Sequence, residues 1–426
     1  LFGNIERVND GRGNWYSDFT NIKAGSLLRA NGGYLVLNVM HLFEEPGVWK
    51  TLKRVLTYNK LEIRESPYLL SMASTTLKPQ PIDIDTKVIL IGNQLIYAYL
   101  AEREYDFKKM FKVKADFDYE IDRKNNILNE YARVIKKLIK QEKLKEFDKS
   151  AIAHLLEISA IIAGSQNKLS LRFSKIADIA REASFWATDD GFNIVSAAHI
   201  EKAYQLSRER HGMLEDKVTE MFENKTLLID TEGERIGQIN GLAVYNADFY
   251  SFGRPTRITA TVSLGSGSII NVEREAGMSG RHYNKGVLII SGYFKETFGQ
   301  DQPLSFNANL VFEQSYGMVD GDSASCTEIF ALLSTLSGLP IKQSIAVTGS
   351  LNQKGDVQPI GGVNEKIEGF YDICKLNGLT GDQGVIIPVQ NISDLMLRED
   401  IIDAVKKNNF HIYPISRVEE GIEILH

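Results

Sequence analysis

The apolar positions in residues 1 to about 120 alternate between strand-like and helical spacing. Two short β-rich apolar runs, at 32–40 (GGYLVLNVM) and 86–93 (TKVILIGN), predict buried parallel strands. Between them, the segment EPGVWKTLKRVLTYNKLEI predicts a helix that leads into an edge segment. An α/β unit is therefore expected at the start of the chain.

From about 121 to 212 the apolar residues recur every three to four positions, which is the spacing of amphipathic helices. The periodic segments are NILNEYARVIKKLIKQ, SAIAHLLEISAIIAGSQ, SLRFSKIADIAREASFWATDDG and SAAHIEKAYQLSRERHG. Several of them end in glycine, a typical helix stop signal. A four-helix lid is the simplest interpretation, and a polar stretch near 215–225 is expected to separate it from the rest of the chain.

The last region begins with β-rich segments and continues with alternating helices and strands. The β-rich segments are ERIGQINGLAVY, TRITATVSL and LSFNANLVFEQS. They precede a helix at SASCTEIFALLSTLSGLP, a strand at QSIAVTGSL, a helix at NEKIEGFYDICKLNG and a strand at GVIIP. The tail FHIYPISRVEEGIEIL predicts one more strand and helix. This pattern predicts an α+β domain of about 200 residues, a typical domain size.

Composition narrows the classes of protein that fit this organisation. The chain has 426 residues, more than one ordinary core holds, and its 43% hydrophobic and 24% charged residues are typical of a soluble globular protein. A net charge of −6 provides no general attraction to nucleic acid, so no nucleic-acid partner is predicted. No apolar run reaches the about 18 residues of a membrane span. The start at Leu1 rather than at a methionine suggests a fragment of a longer protein.

Cysteine usage limits the compartment and the chemistry. Two cysteines, Cys326 and Cys374, are too few for a disulfide framework and fit a reducing compartment, so a cytoplasmic location is expected. Neither has metal-ligand spacing with a histidine, and the seven histidines are scattered singly. No metal site is therefore predicted.

The segment GMVDGDSASC, at 317–326, places two acids and a Ser-Ala-Ser run directly before a predicted helix. One interpretation is structural, with Asp322 or Ser323 capping the helix by accepting a hydrogen bond from a free backbone N–H. The other is chemical, with Ser323 as a nucleophile at the helix N-terminus, where N–H groups can receive a developing oxyanion. A nearby base is needed to decide between them.

Histidine and lysine are the two candidates for that base. GDSAS lacks the final glycine of the nucleophile elbow, and a serine-histidine triad would have to use His411, inside the strand-like segment FHIYPI. Lys366 fits better, because it is the charged member of an apolar helical stripe. Either its side chain extends along the stripe to water, or burial lowers the pKa of its amine, which can then deprotonate a serine. The SQNK segment at 165–168 imitates a Ser-x-x-Lys motif but is predicted to be a helix end.

Three longer motifs, FEQSYGMVDGDSAS, AVTGSLNQKGDVQPIGGVNEK and NGLAVY, resemble the proteolytic domain of the Lon family of ATP-dependent serine proteases, in its archaeal B-type branch. The resemblance runs from about residue 228 to the end of the chain. It implies a serine-lysine dyad of Ser323 and Lys366. Thr348 matches the family threonine that hydrogen-bonds the lysine, and Asp320 matches an acidic position that shapes the site. The residues alone also allow a strand-end threonine and a turn aspartate.

The first half resembles the AAA+ module that precedes this protease domain. AGSLLRANGGYLVLN resembles the approach to a Walker B motif, while Asn93 and Arg172 resemble the sensor-1 asparagine and the sensor-2 arginine. The chain contains no G-x-x-x-x-G-K-[ST] phosphate-binding loop. The Walker B strand ends in Asn38 without the expected acids, and Lys109 occupies about the place of an arginine finger. The family uses ATP and magnesium, but no cofactor is expected to be required here, and ATP hydrolysis is not expected.

These observations predict an α/β AAA+ remnant without the phosphate-binding loop (1–120), a helical lid (121–215) and a Lon-type α+β protease domain (226–426). The predicted function is cleavage of unfolded polypeptides by a serine endopeptidase, with the substrate extended beside a strand edge. The resemblance implies a homo-oligomer, a six-membered ring into which AAA+ modules thread the substrate. The alternative is a non-catalytic binding or scaffolding module derived from AAA+ proteins, in which the serine only caps a helix.

Overall fold

The computed structural model describes residues 1–9, 11–12, 15–63, 78–247 and 250–426. The described chain forms two compact units, Leu1–Phe117 and Asp118–His426. The first unit ends near the predicted limit of the α/β segment at 120. The second unit contains both the helical lid and the α+β domain, so the polar stretch between them does not separate two independent bodies.

The first unit is built around two parallel strands and short helices. Its strands are β1 (Asn4–Ile5), β2 (Val8–Asn9), β3 (Trp15–Tyr16), β4 (Ile22–Lys23), β5 (Tyr34–Asn38), β6 (Lys60–Leu61), β7 (Ile82–Asp83) and β8 (Lys87–Ile91). Its helices are α1 (Ser26–Arg29), α2 (His41–Glu44), α3 (Val48–Tyr58), α4 (Gln94–Arg103) and α5 (Phe107–Met110). Strands β5 and β8 pair in parallel, and α3 leads into the edge strand β6, which confirms the predicted elements.

The expectation that β5 and β8 are buried on both faces is wrong for the described chain. Leu35 and Leu37 point into the core, whereas Tyr34 and Val36 are 73% and 55% exposed. The same alternation occurs on β8, where Ile89 and Ile91 are exposed. The physical reason is that the unit's own helices cover one face of this strand pair, and side chains of a strand alternate between faces.

The lid consists of amphipathic helices packed around one apolar core. The helices are α6 (Asn125–Gln141), α7 (Lys149–Ala163), α8 (Phe173–Asp189), α9 (Ala197–His211) and α10 (Met213–Glu223). Short strands connect them: β9 (Glu120–Asp122), β10 (Glu146–Phe147), β11 (Lys168–Ser170) and β12 (Ile194–Val195). The four predicted helices are confirmed as α6 to α9.

The polar stretch expected to act as a separator is helix α10. Its Phe222 is buried with Leu227 and Ile373, so the helix packs on the α+β domain. Two apolar residues of α10, Val218 and Phe222, recur at four-residue spacing and carried the helical signal that the abundance of charged residues obscured.

A mixed seven-stranded sheet organises the rest of the chain, in the order β16-β17-β15-β14-β19-β22-β23. The strands of this region are β13 (Glu234–Arg235), β14 (Gln238–Ala247), β15 (Tyr250–Leu264), β16 (Ser268–Asn271), β17 (Phe306–Phe312), β18 (Ile341–Lys342), β19 (Ile345–Val347), β20 (Ser350–Leu351), β21 (Val357–Gln358), β22 (Gly384–Pro388) and β23 (His411–Ile415). Of these, β13 pairs with β18 and β20 pairs with β21 outside the seven-stranded sheet. The helices are α11 (Val272–Glu275), α12 (Arg281–Phe298), α13 (Ser325–Ser337), α14 (Val363–Asn377), α15 (Glu399–Lys406) and α16 (Val418–Leu425).

Helices cover both faces of this sheet. On β19, Val347 joins the core that contains α12, α13 and α16, whereas its neighbour Ala346 joins the core that contains α14 and α15. Strands β14, β19, β22 and β23 run parallel, so their carboxyl ends lie at one edge. In such sheets this edge is where sites assemble. Helices α13 and α14 therefore meet across the end of β19, at Thr348.

Candidate active site

Ser323 lies in a turn directly before α13. Its carbonyl oxygen accepts a hydrogen bond from the Gly349 N–H (2.8 Å), and the Cys326 N–H donates back to the Gly349 carbonyl (3.0 Å). These two bonds fix the serine turn against the chain that leaves β19. Gly321, two residues before the serine, has a φ of 95°, a conformation that favours glycine and reverses the chain into the turn.

The geometry of this turn differs from that of a side-chain helix cap. Helix α13 begins at Ser325, and its capping residue is Ala324, which provides no side-chain hydrogen bond. Within the described part of the chain, the Ser323 hydroxyl has no hydrogen-bond partner, and neither have the backbone N–H groups of Ser323 and Ala324. The half-buried turn thus presents a hydroxyl and two backbone donors that the fold does not use.

Lys366 reaches the same place from the other face of the sheet. It lies in the first turn of α14, is 3% exposed, and donates a hydrogen bond from Nζ to Thr348 Oγ1 (3.1 Å). The Thr348 hydroxyl in turn donates to the Ser323 carbonyl oxygen (3.3 Å). One threonine hydroxyl therefore links the amine to the serine turn, and the amine ends in the protein interior rather than in water.

Burial changes the acid-base chemistry of this amine. Loss of solvent lowers the pKa of Lys366 from 10.5 to about 8, against the opposing effect of the Glu365 and Asp322 carboxylates, which raise it. Asp322 accepts a hydrogen bond from the Ser350 hydroxyl (2.9 Å), which fixes this charge beside the site. A substantial fraction of neutral amine exists just above neutral pH, and a neutral amine can accept a proton.

A close backbone crossing sets the position of α14. A Cβ atom at Gly253 of β15 would lie 1.8 Å from the Glu365 carbonyl oxygen, and one at Gly369 would lie 2.2 Å from the Gly253 carbonyl oxygen. Only glycine permits this approach. The crossing at Gly253 was not predicted from the sequence; an isolated glycine in a strand pattern was its available signal.

Asp320 contacts another part of the domain. Its carboxylate accepts hydrogen bonds from the backbone N–H groups of His282 (3.0 Å) and Tyr283 (3.2 Å), at the start of α12, and faces the His282 ring (3.2 Å). Hydrogen bonds from the Gly321 N–H, the His282 ring and the Tyr283 N–H lower the pKa of Asp320 to about 2. Its described contacts tie α12 to the loop before Ser323, and none reaches Lys366.

The alternative base is not near the serine. His411 begins β23, and its Nε2 contacts the Gly381 carbonyl (2.8 Å) at the amino ends of the parallel strands, opposite to Thr348. The serine-histidine alternative, ranked below Lys366 from the sequence, is therefore not formed. Ser165, in the segment that imitates a Ser-x-x-Lys motif, follows the end of α7, as expected of a helix end.

The residues that resemble a nucleotide site are engaged locally. Asn93 caps α4 by accepting from the Ile96 N–H (2.9 Å), and the Asn38 side chain accepts from the Met40 N–H (3.0 Å). Lys109 pairs with Asp106 (3.2 Å). The carboxyl ends of β5 and β8, as described, carry no acidic side chain, which is the usual protein ligand of magnesium.

Arg172, in the second unit, precedes α8. Its guanidinium lies over the Tyr119 ring, 5.2 Å from the centroid. Its predicted sensor role stays a prediction. In the ranges that the structure describes, no helix combines the length and apolar character needed to cross a bilayer.

Family models of known proteins match successive parts of the chain. Three family models match: "LonB-like, AAA domain" at 1–118, "Archaeal LonB, AAA+ ATPase LID domain" at 146–210, and "Lon protease (S16) C-terminal proteolytic domain" at 313–425. The third match covers Ser323, Thr348 and Lys366.

Whole-chain relatives give the same result. A "Putative Lon protease homolog" of Haemophilus influenzae is 34% identical over 414 residues, covering 94% of this chain and 66% of the relative. Its counterpart in Escherichia coli K12 is 32% identical, covering 100% and 70%. An "Archaeal Lon protease" of Archaeoglobus fulgidus is 32% identical over 292 residues, covering 68% and 44%. The chain therefore spans about two thirds of the length of the first two relatives and less than half of the third.

Proposed function

Since the chain belongs to the Lon protease family, we propose that it is a serine endopeptidase with Ser323 as nucleophile and Lys366 as general base. The observation that carries this proposal is the hydrogen bond from the buried Lys366 amine to Thr348 (3.1 Å), whose hydroxyl also binds the Ser323 turn. An interior lysine with a lowered pKa, linked through Thr348 to the turn of a serine whose hydroxyl has no structural role, is the arrangement that nucleophilic catalysis needs.

The chemistry follows from the protonation state of the lysine. Neutral Lys366 accepts the Ser323 proton as the hydroxyl attacks a peptide carbonyl. The free N–H groups of Ser323 and Ala324 are the candidate donors to the oxyanion. The lysine, now protonated, gives the proton to the leaving amine. Water then attacks the acyl-enzyme with the lysine again as base, and the free serine is restored.

The substrate, the oligomeric state and the location of the protein are also proposals. We propose that the substrates are unfolded polypeptides, bound in an extended form through main-chain pairing that is independent of side-chain identity. We propose a six-membered ring of identical chains, for which sedimentation equilibrium should give about six times the chain mass of 47.8 kDa. Two free, buried cysteines support a reducing location, for which we propose the cytoplasm.

Hydrolysis of a fluorogenic unfolded peptide tests the dyad. Ser323→Ala and Lys366→Arg should each lower kcat by about 1000-fold or more, because guanidinium does not deprotonate near neutral pH. The matched controls are Ser337→Ala, at the exposed end of the same α13, and Lys375→Arg, on the exposed side of α14; both should keep wild-type kcat. An active Lys366→Arg enzyme would rule out lysine as the base. A wild-type chain without peptidase activity would favour the scaffolding alternative.

A further inference from the structure

Helix α14 carries a stripe of carboxylates beside its buried lysine. Glu365, Glu368 and Asp372 are spaced by three and four residues and so share one face of the helix. Two arginines from other elements face this stripe: Arg208 of lid helix α9, and Arg398 just before α15. Glu365 raises the pKa of Lys366, and the proposed mechanism uses none of the other charges.

The two arginines are engaged differently. Arg398 forms a two-bond pair with Asp372 (2.8 and 2.5 Å) and also contacts Asp400 (3.1 Å), so its donors are occupied by carboxylates of the α+β domain itself. Arg208 Nη1 lies 3.5 Å from Glu368 Oε2, and the two side chains are 22% and 13% exposed. The Arg208–Glu368 pair therefore joins the lid directly to α14 at a partly buried position.

Loss of its arginine partner would be unfavourable for the Glu368 carboxylate. Burial raises the pKa of Glu368 to about 7, although Arg208 and Arg398 lower it. Removing Arg208 would leave a buried carboxylate with less compensation, and an uncompensated buried charge is strongly unfavourable. A cation of the lid thus compensates a carboxylate of α14.

A second connection reaches α14 from the lid through a short segment at 393–396. Gln166, in the loop after α7, donates from its side chain to the Leu395 carbonyl (2.7 Å), and its backbone N–H donates to the Ser393 carbonyl (3.0 Å). On the other side of this segment, the Asn364 side chain donates to the Asp394 carbonyl (2.8 Å) and accepts from the Met396 N–H (2.7 Å).

These two anchors bracket the lysine. Asn364 and Glu368 lie two residues before and two residues after Lys366 on one rigid helical turn. We propose that Glu368 is a positioning residue: its ion pair with Arg208 uses the lid to hold α14 in the rotation that directs the Lys366 amine at Thr348 and Ser323. This inference rests on the proposed function, because it assigns Lys366 the role of base.

Steady-state kinetics of peptide hydrolysis, with Glu368→Gln, Arg208→Gln and the double variant, tests the positioning role. Each single variant should lower kcat about ten-fold, because a small misplacement of the base is expensive, while KM stays within about two-fold. The double variant should also lose about ten-fold rather than about a hundred-fold, since both changes remove one interaction. Arg208→Lys keeps the charge and should recover most of kcat.

A matched control separates positioning from general damage to the lid. Arg210, two residues further along α9, pairs with Glu182 inside the lid (2.6 Å), and Arg210→Gln should leave kcat unchanged. Thermal unfolding of every variant verifies that it is folded. If Glu368→Gln does not fold, Arg208→Gln and Arg208→Lys alone decide the question.

The outcomes distinguish this inference from the proposed function. An inactive wild-type chain contradicts the proposed function itself. If the wild-type chain is active, any of three results contradicts the positioning role and leaves the proposed function intact. These are a folded Arg208→Gln variant with wild-type kcat, losses of kcat that multiply in the double variant, or an Arg210→Gln variant that loses as much kcat as Arg208→Gln.

Discussion

At the scale of single residues, Thr348 makes two hydrogen bonds with one hydroxyl. It accepts from the Lys366 amine and donates to the Ser323 carbonyl, so it ties the amine to the turn that carries the proposed nucleophile. Its side chain is 1% exposed, so no solvent competes for these bonds. The site therefore depends on a hydroxyl that takes no part in bond making.

Replacement of this hydroxyl is the first prediction. Thr348→Val keeps the shape but removes both bonds, so kcat for peptide hydrolysis should fall about 10- to 100-fold with little change in KM. Thr348→Ser restores the hydroxyl and should recover most of the loss. Steady-state kinetics on the two variants makes the comparison. Equal kcat for Thr348→Val and wild type would mean that Thr348 only ends the strand and has no role in catalysis.

The sequence predicted the residues of the site better than the charges around it. Ser323 and Lys366 could be selected because each stands out locally, one as a serine before a helix and one as a charge in an apolar stripe. Asp322, which raises the pKa of the lysine, could be weighed only as a cap, because its proximity to Lys366 depends on tertiary structure. The arginine that faces Glu368 comes from the lid and carries no local signal.

At the scale of secondary structure, the crossing of β15 and α14 leaves no room for an added side-chain atom. The second prediction is that Gly253→Ala, whose new Cβ would clash with the Glu365 carbonyl, displaces α14, lowers the melting temperature and reduces peptidase activity at least about ten-fold. Gly361→Ala is the control, because a Cβ there meets nothing within 4 Å. A folded Gly253→Ala variant with wild-type activity would show that the helix position is not critical.

A buried carboxyl on α13 supplies the third prediction. Glu328 accepts hydrogen bonds from Tyr283 (2.6 Å) and Asn271 (3.2 Å), and burial together with the charge of Glu273 raises its pKa from 4.5 to about 8. The folded state thus retains a proton that the unfolded chain releases. This contribution to stability is complete below about pH 4.5 and is lost as the pH rises towards 8.

Glu328→Gln, which carries no titrating proton, should not share this loss. Its free energy of unfolding, relative to wild type, should rise by about 3 to 4 kcal/mol between pH 5 and pH 8. Urea unfolding at several pH values measures the difference. Parallel stability curves for the two proteins would mean that Glu328 does not hold its proton.

Helices and strands with a clear period were predictable, and those with mixed signals were not. Strand β19 and helices α13 and α14 follow from their apolar spacing. Helix α10 was interpreted as a separator because charged residues dominate it, although Phe222 is buried against α14's Ile373. The exposed face of β5 could not be anticipated, since an apolar run predicts a strand but not which neighbours cover it.

At the scale of the whole molecule, the chain joins the proposed peptidase site to a region that matches an AAA domain but has no G-x-x-x-x-G-K-[ST] motif in its sequence. The fourth prediction is that this chain neither binds ATP tightly nor hydrolyses it, and that its cleavage of short unfolded peptides is independent of ATP. It lacks a phosphate-binding loop, and the described ends of β5 and β8 carry no acid for magnesium. Folded proteins should resist cleavage.

Titration calorimetry with a non-hydrolysable ATP analogue and magnesium, beside a phosphate-release assay, makes this measurement. Heat changes should stay at the level of dilution, and no phosphate should accumulate. Micromolar binding or steady phosphate release would mean that the chain holds a nucleotide site made of other residues.

The central claim, and the fifth prediction, is that Lys366 activates Ser323, and covalent labelling tests it most directly. The rate of modification by a peptidyl phosphonate, with the site located by mass spectrometry, should be measured from pH 6 to 9. We expect a single adduct on Ser323 whose rate of formation rises with a midpoint near the lysine pKa of about 8, and no adduct in Lys366→Arg or Ser323→Ala. Labelling of another residue, a rate independent of pH, or an undiminished rate in Lys366→Arg would contradict it.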